Sequence, residues 1–245
     1  TSTLEVTKEL EHWLGKASDE QRVKKLTNLT NSHVQAINYN IDYDVAKMHF
    51  LGFGETFFEG GDGLSLYNTA HTIRKGGGTQ SNIVTSGGVT HVGFSPANLV
   101  TAINQLNRFK GMNDIQLLPV RRLRVLCSVE LEPTVSRTLV SEYGPDTPNL
   151  GKNPGSSALL AMRNKGLQID YAVIDKMGTD YQNYWFVMAL DRIGLSTEMN
   201  LGIGWMPQLS EDLKYEEGKR CNYVDALFGP SALGWNSVIG SQGTA

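Results

Sequence analysis

The sequence predicts a mixed α+β chain in which one very long helix comes first and strands and helices then interleave. Three observations predict it. Residues 16–51 contain no Gly and no Pro, residues 52–95 hold eleven glycines, and alternating apolar strands separated by short helical runs follow.

Residues 1–6 read as the end of a strand, and residues 8–14 as a helix-favouring run stopped by Gly15. Ser18 and Gln21 then make a capping box, with Asp19 and Glu20 placing negative charge in the first helical turn. Val23, Leu26, Thr30, Val34, Ile37, Ile41, Val45 and Met48 recur at spacings of three and four, and all but Thr30 are apolar. That is one face of a helix over residues 19–50, about 48 Å long at 1.5 Å per residue. A compact chain of this size has an equivalent sphere only about 46 Å across. The helix is therefore expected to carry a flat or protruding molecule rather than to sit inside a globule.

The glycines of residues 52–95 predict loops and short hairpins, since glycine tolerates positive φ in tight reversals. Ser95 followed by Pro96 predicts the N-cap and first residue of a second helix, ending before Gly111 and burying Leu99, Ile103 and Leu106. Residues 123–129 alternate as a strand, with Leu123, Val125, Cys127 and Val129 on one face. Residues 133–143 read as a helix closed by Gly144-Pro145, and residues 158–164 as a shorter one. Strands are expected at 167–174 and 184–190, and near Tyr215 and at 221–228 in a polar, Gly-dotted end.

Composition narrows the function. The 245 residues carry 22 Lys+Arg against 25 Asp+Glu, a net charge of −3, which argues against a dedicated nucleic-acid binder. No apolar run approaches the ~18 residues of a transmembrane helix, so no membrane partner is expected. Two cysteines, Cys127 and Cys221, supply no disulfide framework and suit a reducing compartment. The chain opens at Thr1 without a signal peptide, and is read as processed or incomplete there.

Each candidate for chemistry has a plainer reading. Gly93-Phe94-Ser95-Pro96-Ala97 nearly matches a Gly-x-Ser-x-Gly nucleophile elbow, but the oxyanion-hole donor would be the N–H after the serine, and Pro96 has none. A Ser95-dependent hydrolase is therefore the lesser reading and a helix cap the better one. His12, His33, His49, His71 and His91 show no metal-ligand spacing, and His33 and His49 are read as surface or packing residues of the long helix. Asp42 and Asp44, two apart on a helix, point to different faces. Cys127 reads as a buried thiol. Lys75 precedes Gly76-Gly77-Gly78 rather than following them, which is the wrong order for a phosphate loop. Arg121, Arg122 and Arg124 read as a solvated strand face or an intersubunit ion-pair surface. No reaction, cofactor or metal is expected.

One block is more specific. Asp62-Gly63-Leu64-Ser65-Leu66-Tyr67-Asn68-Thr69-Ala70-His71, followed by Gly76-Gly77-Gly78-Thr79-Gln80-Ser81-Asn82, resembles the Mu-like major head subunits of tailed bacteriophages. That family looks like D-G-x-x-L-[F/Y]-x-T-A-H, then a Gly-rich turn and T-Q-S-N. Looser likenesses are the strand, proline and helix around Pro133, the aromatic Tyr184-Trp185-Phe186, and Trp235 with Gly240. Thr72 stands where the family often has Pro.

The resemblance implies the tailed-phage major capsid fold, with a spine helix at 19–50, a peripheral domain and an axial domain. Residues 1–94 would hold the returning strand of an extended loop (the E-loop), the spine and the hairpins. Residues 95–200 would be the axial domain and 201–245 strands completing the peripheral one. The N-terminal arm and most of the E-loop would be absent from this chain. It implies a virion shell protein, assembled in the host cytoplasm into pentamers and hexamers around double-stranded DNA bound without sequence specificity. Scaffold, portal and decoration proteins would be partners. An encapsulin-type compartment shell is the alternative within the same fold.

Overall fold

The structure, a computed structural model, describes residues 2–7, 19–54, 62–73, 78–111, 114–140, 154–192, 197–201, 208–214, 219–225, 228–232 and 234–243. Strand β1 (Ser2–Thr7) precedes helix α1 (Asp19–Phe50), whose 32 residues match the helix expected from the apolar spacing. The helix-favouring run at 8–14 and the capping Ser18 lie outside the described residues. So do the side chains of Val23, Leu26, Val34 and Ile37. Further along the stripe Ile41 and Val45 are half-buried and Met48 is buried. The helix stops before Gly52, where a Cβ would fall 2.6 Å from the Met48 carbonyl oxygen.

Two short hairpins follow: β2 (His71–Thr72) with β3 (Thr79–Gln80), and β4 (Thr85–Ser86) with β5 (Val89–Thr90). Helix α2 (Pro96–Asn107) is capped by Ser95, whose Oγ accepts the Asn98 N–H at 3.1 Å. Then come β6 (Arg122–Ser128), α3 (Glu132–Val140), α4 (Pro154–Asn164), β7 (Gln168–Ile174), a 3₁₀ turn (Thr179–Tyr181) and β8 (Trp185–Ala189). Residues 141–153 lie outside the described residues, with the stop expected at Gly144-Pro145.

The chain parts into two compact units, Thr1–Val45 with Met199–Pro230 and Ala46–Glu198 with Ser231–Ala245. The boundaries expected from the sequence are 94/95 and 200/201; the second lies within two residues of the break after Glu198, and the first does not coincide with the break after Val45. The difference has a cause: residues after Ala46 pack on the same sheet as α2, and the last strand returns to that sheet.

In the first unit β1 and β10 (Gln208–Lys214) flank β11 (Lys219–Asp225), all antiparallel, with Ser2 opposite Val224 and Gln208 opposite Asp225. Strand β9 (Thr197–Leu201), which the sequence did not announce, pairs with β12 (Phe228–Ala232). Tyr215 lies outside the described residues, as do residues 226–227 of the strand expected at 221–228, whose residues 221–225 belong to β11.

The second unit is built on a four-stranded sheet of order β13-β8-β6-β7, where β13 is Val238–Ser241. β6 and β7 are parallel, as their helical crossover requires, and the other pairs are antiparallel. Strand alternation divides the side chains between two apolar clusters. Leu123, Val125, Cys127, Trp185, Val187, Ala189 and Ile239 join Leu99, Ala102, Ile103 and Leu106 of α2, Val135 of α3 and Leu159 of α4. Leu126, Phe186 and Val238 join Met48 and Phe50 of α1 together with Leu66 and Tyr67. The sheet is therefore covered on both faces, whereas the sequence suggested one buried face. Val129, expected to be inward, lies beyond the strand end and is 49% exposed.

Gly240 is fixed by this packing. A Cβ there would sit 2.8 Å from the Phe186 ring and 2.9 Å from that of Tyr67. Gly240→Ala is expected to cost about 1–3 kcal/mol in urea unfolding. Gly54→Ala, where a Cβ meets nothing within 4 Å, is expected to change stability by less than about 0.5 kcal/mol.

Candidate functional site

The block singled out in the sequence folds as one buried polar knot. Gly63 takes φ +74°, a left-handed turn that glycine adopts at little cost, and Asp62 accepts the Leu64 N–H across it. Leu66 and Tyr67 beyond the turn are fully buried. Asn68 makes the next reversal by accepting the Ala70 N–H at 3.0 Å, leaving Thr69 and Ala70 exposed. This brings His71 back beside Asp62, with Nδ1 2.7 Å from Asp62 Oδ2 and Nε2 3.1 Å from the Leu66 carbonyl oxygen. The His71 ring lies flat on Trp235, centroids 4.5 Å apart and planes within 6°.

Asn82 ties the knot. Its Oδ1 accepts the Asn68 N–H at 2.8 Å, and its Nδ2 donates to the carbonyls of Leu66 at 2.7 Å and Trp235 at 3.4 Å. Its main chain donates to Asn68 and accepts from Gly240. Ser81 Oγ accepts the Ile83 N–H, and Gln80 Oε1 accepts the Lys110 N–H. Gly78 accepts the Ile73 N–H across the hairpin end, and Thr79 is exposed. Lys75, Gly76 and Gly77 lie outside the described residues. A hollow of about 520 Å³ beside β3 and α2 is lined by Gln80, Asn104, Gln105 and Arg108 among others. Gln105 spends its amide there on the Ser81 and Ile83 carbonyls.

The electrostatics follow from burial. His49 is buried, accepts a hydrogen bond from Tyr67 Oη at 2.8 Å, and lies 5.3 Å from the Phe186 ring. Desolvation lowers its pKa to about 4, and burial pushes the Tyr67 phenol well above its usual value. Burial alone would raise the Asp62 carboxyl, but the hydrogen bond and charge of His71, with the N–H groups of Leu64 and Thr72, hold it below its ordinary value. The Cys127 thiol is pushed up to about 12 by desolvation and by Glu132, so it is a poor nucleophile.

Neither Ser95 nor the Asp62–His71 pair has a catalytic arrangement. The Ser95 oxygen faces Asn98, and the outer nitrogen of His71 faces a carbonyl where a triad would hold a nucleophile. No group of three His, Cys, Asp or Glu that could hold a metal ion occurs among the described residues, and no described helix is long and apolar enough to cross a membrane. His12, the His33 side chain and the Cys221 side chain lie outside the described residues. Arg124 pairs with Asp170 through two hydrogen bonds of 3.1 and 2.7 Å, and Arg121 and Arg122 are exposed.

Sequence reasoning missed three ties. His49, read as surface or packing, is a fully desolvated partner of Tyr67. Trp235, noted only by resemblance, is the platform under His71. Arg192 had no signal at all, yet its guanidinium donates to the carbonyls of Asn236, Leu106 and Leu118 at 2.7, 3.0 and 3.2 Å. It closes the C-terminus of α2 and anchors the following loop.

No protein-family profile matches the chain. No curated protein matches it in sequence. Among solved structures it is similar to a phage-related protein from Bordetella bronchiseptica RB50, at 14% identity and a TM-score of 0.49, covering 99% of this chain and 74% of that one. It is also similar to the capsid of Myoviridae phage XM1, at 14% identity and a TM-score of 0.48, covering 98% and 71%. A third is the satellite phage P4 procapsid including size determination (Sid) protein, at 9% identity and a TM-score of 0.42, covering 98% and 68%.

Two measurements check the knot. Asn82→Ala strips a partner from the Asn68 N–H and from the Leu66 and Trp235 carbonyls, and is expected to cost about 3 kcal/mol in urea unfolding. The His49 imidazole is neutral when folded down to about pH 4 but takes up a proton near 6.5 when unfolded. The unfolded state thus binds more protons in that window. Stability is therefore expected to fall as pH drops from 6.5 to 4, by about 3 kcal/mol from this group, and the slope to flatten in His49→Gln.

Proposed function

We propose that this chain is a structural shell subunit of the tailed-phage major capsid type, which assembles with copies of itself into a closed head. The observation that carries this reading is the fate of the D-G…T-A-H…T-Q-S-N block. Its buried side chains, those of Leu66, Tyr67, His71 and Asn82, and the half-buried Asp62 face other groups of the protein itself. A string that specific, engaged internally, suits a fold determinant of a building block. The 32-residue α1 and the glycine-rich hairpins stand in the order that the resemblance implies.

In this reading α1 is the spine, the pieces are pentamers and hexamers, and the content is double-stranded DNA held without sequence readout. Scaffold, portal and decoration proteins are the other partners. Lateral contacts need only be modest, because a closed symmetric lattice multiplies them.

Electron microscopy of the chain expressed with whatever coding sequence precedes it is expected to show closed shells. Ile41→Asp, a charge on the apolar stripe of α1, is expected to abolish them while circular dichroism stays helical. A wild-type chain that remains monomeric in light scattering at high concentration overturns the reading. Nuclease-protected DNA inside the shells separates a genome container from an enzyme-filled compartment.

A further inference from the structure

We infer that the sheet of the second unit docks head to tail on a second copy of this chain, the basic end of one sheet meeting the acidic end of the next. The inference rests on the shell reading and adds to it the surface by which one subunit takes its neighbour. Strand β6 runs through the middle of the sheet from Arg122 to Ser128, so its ends lie about 20 Å apart at ~3.3 Å per residue. β7 lies parallel to it. Both strands therefore begin at one margin of the sheet and end at the other.

The margin where they begin is basic. Arg121 and Arg122 are exposed, as is Lys165, three residues ahead of β7. The Arg121 carbonyl accepts the Gln168 N–H at 2.7 Å, which ties the start of β7 to the arginine pair. Leu118, 85% exposed, lines a hollow of about 250 Å³ there together with Pro119 and Arg121. Asp191 is the countercharge, and one of its carboxylate oxygens is taken by the Arg121 main-chain N–H at 2.7 Å. Arg124, one residue pair further in, is engaged with Asp170, whereas Arg121, Arg122 and Lys165 form no ion pair among the described residues.

The margin where the strands end is acidic. Val129 and Glu130 are exposed just past β6, Asp175 just past β7, and Asp180 in the 3₁₀ turn that follows. Ser128 Oγ donates to the Gln182 carbonyl and holds that turn against the end of β6. Val129, Glu130, Asp175 and Thr179 are among the residues lining a second hollow, of about 120 Å³. Lys176 pairs with Asp175 at 2.9 Å, which leaves Glu130 and Asp180 as carboxylates with no ion pair among the described residues.

The two margins complement each other and not themselves. Two copies meeting basic to basic repel, so the contact is heterologous, and it closes into a ring when the rotation between successive copies allows. Opposite charge fixes the register and speeds the encounter, while Leu118 on one side and Val129 on the other supply apolar surface to bury.

The test uses the chain expressed with whatever coding sequence precedes it, and reads association by light scattering and sedimentation. Arg121→Glu with Arg122→Glu is expected to weaken association about tenfold or more, and so is Glu130→Arg with Asp180→Arg, because each creates a like-charged junction. The four reversals together are expected to bring association back to within about threefold of wild type. All four positions are exposed, and circular dichroism of each variant is expected to match the wild type. Unchanged association of either reversed chain overturns the proposal, as does a folded four-reversal chain that stays as weak as its parents. Where a reversed chain does not fold, the wild-type association rate decides: it is expected to fall about tenfold between about 0.05 and about 0.5 M NaCl, and a rate indifferent to salt overturns the proposal. Closed shells that persist in the reversed chains overturn this interface and leave the shell reading standing, whereas a wild-type chain that stays monomeric overturns both.

Discussion

A carboxamide can be buried only where main-chain groups are brought to meet it, and the body of this protein is arranged around that requirement at Asn82. Its side chain and main chain reach Asn68, Leu66, Trp235 and Gly240, the last two more than 150 positions away in the sequence. Each bond is worth little in net terms, but leaving its partner unmet inside the core is expensive. The turn after Gly63, the first hairpin and the strand Val238–Ser241 are therefore held to one another rather than each being stable alone. Gly240 belongs to the same constraint: with the strand pinned by Asn82, only a hydrogen fits between the rings of Tyr67 and Phe186.

Two buried histidines of this unit differ in the partners that their ring nitrogens meet. His49 meets a phenol that can donate, and its surroundings are aromatic, so the neutral ring is at home. His71 meets a carboxylate and a carbonyl, neither of which can donate, with an electron-rich indole face against it. Burial is equal for the two. The difference lies in what each nitrogen is offered.

Much of the architecture was legible because it is local. The period of α1 and the Ser95-Pro96 start of α2 are written in neighbouring residues, and the structure follows both. What was not legible is non-local. The unit boundary falls between Val45 and Ala46, inside a helix and five residues before its end, where there is no linker, glycine or proline to mark it. The second buried face of the sheet depends on Leu126 meeting residues of α1 and of the 66–67 segment, and a seven-residue strand read alone cannot announce that. Strand β13 is four residues with a glycine in it, and reads as a turn until Asn82 and Tyr67 are in place. The site residues divide in the same way. Asp62, His71 and Asn82 stood out as a string, whereas the reason for them, Trp235 and the Leu66 carbonyl, is a matter of contact.

A protein that works by being surrounded by copies of itself has most to gain from a body that does not reorganise on contact. Each side chain or loop ordered at an interface subtracts from the free energy of association. In a proposed shell subunit that subtraction recurs at every lateral contact. The polar knot spends its hydrogen bonds inside the subunit, and Arg192 does the same for the loop after α2 by taking three main-chain carbonyls from separate segments. Such ties add nothing to an interface directly. In the shell proposed above, they would lower what each interface must overcome.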